Sequence, residues 1–125
     1  MRFTEQKSWV FTGARAVKIA VDPQDNPWIV TAKNEIKRWI PLRKRFFTIK
    51  GSATDISVGP EGTVFILGVT KRQSGQEIYR FDPDTGKWAR VNGSAIKITV
   101  GPKGKPHILT EKNNIYWPAG TCYEK

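Results

Sequence analysis

The stretch ATDISVGPEGTVFIL, Ala53 to Leu67, decides the fold. Thr54, Ile56 and Val58 alternate with Asp55 and Ser57, the period-two pattern of a strand with one buried face. A Gly59-Pro60-Glu61-Gly62 turn follows, with Gly62 suited to positive φ. A short apolar run, Val64 to Leu67, completes a hairpin. The chain makes almost the same statement twice more, as AVKIAVDPQDNPWIV (Ala16 to Val30) and AIKITVGPKGKPHIL (Ala95 to Leu109).

The three copies set the register of everything around them. Val-(Gly/Asp)-Pro recurs at Val21, Val58 and Val100, with spacings of 37 and 42 residues. The inequality is local. Val30 to Ile36 and Leu109 to Ile115 are each 6 residues, whereas Leu67 to Ile78 is 11. The excess falls in GVTKRQSGQE, which reads as a polar surface loop, where insertions cost little. Third strands are expected in EIKRWI, EIYRFD and NIYWPA. Fourth strands are expected in WVFTG, FFTIKG and WARVNG, each led by an aromatic anchor: Trp9, Phe46 or Trp88. No long amphipathic helix is visible. DPDTG, Asp82 to Gly86, marks a turn between strands three and four. A period near 40 residues with four antiparallel strands per unit predicts an all-β protein built of propeller blades. The whole chain, 1–125, is a single repeat domain with units at approximately 16–50, 53–92 and 95–117.

FFTIKGSATDISVGPEGTVFIL, EIYRFD and WARVNGSAIKITVGPKG together resemble tectonin repeats, the unit of tectonin/tachylectin-type lectins. The shared pattern is an anchor Trp, Gly and a small residue, Ile-x-Val-Gly, a Gly turn, an aromatic, and Ile-Tyr-Arg. It covers Trp9 to Trp117. Phe46 replaces the anchor Trp, Asp22 replaces a Gly, and His107 stands where Trp28 and Phe65 stand. The resemblance implies a β-propeller, commonly six-bladed, that binds glycans or lipopolysaccharide.

Strand order sharpens that expectation. Residues 9–13 form a fourth strand before any first strand, and ten residues beyond Ile115 is Lys125. The third unit is therefore expected to borrow its fourth strand. Three blades are too few for a propeller, which typically has about 4 to 8. Two chains exchanging N-terminal strands make a six-bladed homodimer with its two-fold axis along the tunnel. A GTCYEK tail serving as a native fourth strand is the alternative to exchange. A β-trefoil monomer is the rival fold, although the ricin-type Gln-x-Trp pattern is missing.

Composition narrows the function. Lys and Arg number 21 against 11 Asp and Glu, a net charge of +10, which favours anionic partners such as acidic glycans, nucleic acid or anionic membranes. No apolar run reaches the roughly 20 residues of a membrane span. The start lacks the apolar segment of a signal peptide. The expectation is a soluble protein, cytoplasmic or released without a classical signal peptide. A single cysteine, Cys122, excludes an internal disulfide framework and reads as an ordinary thiol. One His, one Cys and carboxylates scattered in turns provide no catalytic constellation or metal cluster. Neither enzymatic activity nor a cofactor is expected.

Candidate ligand contacts are Trp117, Trp39, Tyr79 and Tyr116 for stacking on sugar faces, and Arg38 and Arg80 for forked bonds to hydroxyls or phosphates. His107 adds a polar contact. Arg43, Lys44 and Arg45, in the turn between strands three and four, and Lys71 and Arg72, in the long loop, form a basic patch for an anionic partner. Trp9, Phe46 and Trp88 are read as inter-blade anchors. Lys18, Asp55 and Lys97 share one register at the tunnel mouth. The leading function is passive, multivalent glycan binding. A protein-interaction scaffold, or a propeller fragment or design without an evolved ligand, is the alternative. Nucleic-acid binding ranks third, because the aromatics repeat as anchors rather than interleaving with Lys and Arg.

Overall fold

A computed structural model describes residues 8–119. Cys122 and the GTCYEK tail lie outside the described residues. The fold is all-β: three antiparallel sheets, with strands in sequential order within each. The first contains β1 (Lys18–Val21), β2 (Pro27–Val30), β3 (Glu35–Ile40) and β4 (Arg45–Ser52). The second contains β5 (Asp55–Val58), β6 (Val64–Arg72), β7 (Gly75–Asp82) and β8 (Lys87–Ala95). The third has three strands among the described residues: β9 (Lys97–Val100), β10 (Pro106–Leu109) and β11 (Ile115–Tyr116). Residues 9–13 form no strand within one chain.

The first hairpin of each sheet pairs in the same register, Ile19 with Ile29, Ile56 with Ile66 and Ile98 with Ile108. Their turns close by the same backbone bond. Gly59 donates to the Thr63 carbonyl, Gly101 to Lys105 and Asp22 to Asn26, at 2.9, 2.9 and 3.0 Å. Asp22 takes the place of glycine for a physical reason: its Oδ1 accepts from the Gln24 and Asn26 amides, both at 2.9 Å. Its side chain thus wraps the turn. Asp82 does the same work before β8, where its carbonyl accepts from Gly86 and its Oδ1 from Asp84.

GVTKRQSGQE departs from the expected loop. It extends β6 and β7 into a long hairpin, pairing Lys71 with Gln76 and Arg72 with Gly75 around a two-residue Gln73-Ser74 tip. The extension is held from outside. Glu111 donates its amide to the Ser74 carbonyl, and its carboxylate pairs with Lys71 at 2.7 Å. The corresponding turns of the other units, TAKN and TEKN, use Asn34 and Asn113 in left-handed conformations, which Asn tolerates.

The sheets stack face to face, so the middle one is covered on both sides. Val64 and Ile66 join Trp28, Val30, Ile36 and Ile56 in a core against the first sheet. Phe65 and Leu67, from the opposite face of β6, join Ile78, Ile98 and Val100 against the third. The first strands of the three sheets, β1, β5 and β9, contact in sequence, each beginning on one member of the Lys18, Asp55, Lys97 set. A side-chain hydrogen bond with Lys97 lowers the Lys18 pKa, and Asp55 opposes that shift. Among the described residues no helix is long and apolar enough to cross a membrane.

Candidate functional site

β2 places Trp28 on the face toward the second sheet, and β3 places Arg38 directly opposite it. The Arg38 guanidinium lies 4.7 Å from the Trp28 ring centroid, in cation–π range. Phe81 meets the indole in an edge-on arrangement, with centroids 5.4 Å apart. These residues line a cleft of about 280 Å³ between the first two sheets, with Asp22, Glu61 and Arg80 at its margin.

The polar groups of the cleft do not balance. Trp28 Nε1 and Arg38 Nε are buried donors with no hydrogen-bond acceptor. The nearby acids are already engaged. Asp22 serves its own turn, and Glu61 Oε1 accepts from the Lys103 amide at 2.7 Å. A buried donor without an acceptor costs about 1–3 kcal/mol. Both atoms lie beneath the cleft surface, so a ligand reaches them only if the Trp28 or Arg38 side chain shifts, and an acceptor oxygen from a hydroxyl, carboxylate or phosphate then removes that cost. The cleft thus combines an aromatic wall, a cation and, beneath its surface, two buried donors without an acceptor.

A second polar cluster is fully paired. The buried Glu77 carboxylate accepts from the Tyr79 hydroxyl at 2.5 Å and from Arg72, and Arg90 lies nearby at 3.7 Å. The Tyr79 hydrogen bond, followed by that of Arg72, holds the Glu77 pKa below its ordinary value. The same bond raises that of Tyr79. A depressed carboxyl pKa means that the unfolded chain takes up the proton first, so acid favours unfolding. Glu77 therefore stabilises the fold fully above about pH 4.3, and that contribution is lost as pH falls through the lower folded value. Glu77→Gln is expected to flatten the decline of the unfolding midpoint between pH 5 and pH 3. Parallel curves for the two proteins would remove Glu77 from the acid response.

The structure divides the expected ligand residues. Arg38 and Arg80 line the cleft just described. Tyr116 and Trp117 line a larger groove between the second and third sheets, where His107 lies 6.2 Å from Trp117, ring to ring. Trp39 packs edge-on against Phe46 in the outer strands of the first sheet. Tyr79 is committed to Glu77. Arg43, Lys44 and Arg45 are exposed at the β3–β4 turn, and Arg45 lies over Phe47. Lys71 and Arg72 are in ion pairs with Glu111 and Glu77 rather than standing as loop cations. Trp28, whose shared register with Phe65 reads as core packing, lines the same cleft as Arg38 and has an indole N–H without an acceptor. Its signal was present: among the register mates Trp28, Phe65 and His107, only Trp28 carries an indole N–H beside an arginine ten residues on.

No family model matches the chain, and no curated protein matches it.

Proposed function

We propose that this chain is a non-enzymatic, carbohydrate-binding protein of the tectonin type, with three propeller blades per chain and six in a homodimer. It recognises glycans or lipopolysaccharide through clefts between blades. The observation that carries the reading is the pair of acceptorless donors, Trp28 Nε1 and Arg38 Nε, in an aromatic cleft. Sugars suit that environment because they present C–H faces to rings and oxygens to donors. Phosphorylated or carboxylated glycans suit it best, since charge-assisted bonds to guanidinium are the stronger ones and the net charge is +10. The separate, sequentially ordered sheets support blades as the architecture. Two copies in one ring present each cleft twice, which raises avidity on a glycan surface of matching spacing.

Trp28→Phe tests the reading with little disturbance, because it removes the N–H and keeps most of the ring. On an array of neutral and acidic glycans including lipopolysaccharide, the expected result is wild-type binding that falls about tenfold in Trp28→Phe. The unfolding midpoint should hold or rise, since the loss of a buried donor that lacks an acceptor relieves about 1–3 kcal/mol and offsets the packing lost with the smaller ring. A clean array for the wild type, or equal binding by both proteins, would count against the cleft. Loss of binding in Trp117→Ala instead would move the site to the neighbouring groove.

A further inference from the structure

We propose that the groove beside the third sheet is the docking site for residues 9–11 of a second copy, with the Trp9 indole seated over Gly93. The inference rests on the propeller reading above, but not on glycan binding.

The first observation is a filled slot and its unfilled sister. At the boundary of the first two sheets, Trp88 donates its indole N–H to the Lys50 carbonyl at 2.9 Å. It lies so close over Gly51 that a Cβ there would come within 3.0 Å of Nε1. One repeat later, Asn92 and Gly93 take the places of Lys50 and Gly51, each glycine opening the same Gly-Ser-Ala sequence. Both glycines have positive φ, +127° and +106°. Among the described residues, by contrast, an added Cβ at Gly93 would meet only the Ile78 Cδ1, at 3.5 Å. No indole covers it. The space is part of a groove of about 720 Å³ lined by Ile78, Val91, Gly93, Ile108, Tyr116 and Trp117.

The second observation lies at the opposite end of the stack. Ile56 and Ile98 are 5% and 8% exposed, each covered by the preceding unit. Their register mate Ile19 is 66% exposed, with Val17 and Val21 beside it. One end thus shows a face that its sisters bury, and the other shows a slot that its sister fills. Such ends fit head to tail. A heterologous contact of this kind closes into a ring when the rotation permits, and two copies give six blades, within the usual range of about 4 to 8.

The spacing places the segment. Trp9 precedes Ala16 by the same seven residues that separate Trp88 from Ala95. When β1 of one copy packs beside β9 of the other, residues 9–11 fall alongside β11, in the position of a fourth strand. Trp9, Val10 and Phe11, each at least 75% exposed in the single chain, become buried there.

Sedimentation of the full chain without ligand, across a dilution series, tests this. The expected mass is that of two chains. Trp9→Ala and Ile19→Lys should each weaken association about 30-fold or more, as loss of a central anchor does. A second measurement covers variants that fold poorly. Thr12→Cys with Ile115→Cys, on a Cys122→Ser background that keeps Trp9, is treated with a short bis-maleimide. Cross-linked product at twice the chain mass is expected. A wild type that sediments as one chain, a dimer indifferent to both substitutions, or a cross-link confined within one chain would each overturn the proposal. A dimer that binds no glycan would overturn the lectin reading alone.

Discussion

Gly75→Ala will lower the unfolding midpoint by about 10 °C or more, corresponding to roughly 3 kcal/mol in a domain of this size. Two costs coincide at this position. Gly75 has φ +141°, a conformation that side chains rarely adopt and that costs about 1–3 kcal/mol when forced. An added Cβ would also stand 2.4 Å from both the carbonyl carbon and the oxygen of Ala95. Those are backbone atoms of a fully buried residue in the core shared with the third sheet, so they cannot swing aside. Relief requires β7 to part from β8, and with it the register that positions Glu77. Gly86→Ala is the control. Gly86 also has positive φ, +72°, but among the described residues nothing lies within 4 Å of its would-be Cβ. It should cost only about 1 kcal/mol, the conformational penalty alone. Thermal unfolding of the two variants side by side separates steric from conformational cost. Equal midpoints would show that the β7–β8 junction yields.

The features legible in the sequence are those that local chemistry determines. Alternation in Thr54, Ile56 and Val58 gives a buried face without reference to anything distant, and the Gly-Pro-x-Gly turn fixes its own geometry. Comparing the units even located the five extra residues. Their conformation was not legible, because GVTKRQSGQE is polar and becomes strand only through contacts from another unit. The Ser74 carbonyl bond and the Lys71 ion pair both come from Glu111, some 40 positions away. The candidate site divides in the same way. Arg38 and Arg80 were visible as donors by residue type. Trp28 was not, because register grouped it with Phe65, and burial does fit both rings. What separates them is a single N–H, which matters only once the surrounding acceptors are seen to be engaged elsewhere. Tyr79 differs in the opposite sense: it borders a small pocket, but its hydroxyl is hydrogen-bonded to the Glu77 carboxylate two residues away on its own strand.

Trp88→Ala is expected to destabilise the protein by about 3 kcal/mol, at the lower end for aromatic truncation because the ring is only partly buried. The side chain makes three kinds of contact, two of which reach the first sheet. It meets Phe81 at 5.0 Å within its own sheet, packs against the core that contains Trp28 and Ile36, and bonds to the Lys50 carbonyl of the first sheet. Truncation opens a gap that rigid sheets close only in part. Trp88→Phe retains most of the packing and loses the bond, and should cost about 1 kcal/mol. Equilibrium urea unfolding of both variants gives the two contributions separately. A loss in Trp88→Ala no larger than that in Trp88→Phe would show that the ring contributes little beyond its N–H. The result also calibrates the neighbouring boundary. The slot over Gly93 repeats the slot over Gly51, so the stability Trp88 confers within one chain sets the scale for what Trp9 confers between two. If Trp88→Ala proved nearly neutral, Trp9→Ala would have no reason to dissociate a dimer, and closure of the ring would have to rest on the Ile19 face alone.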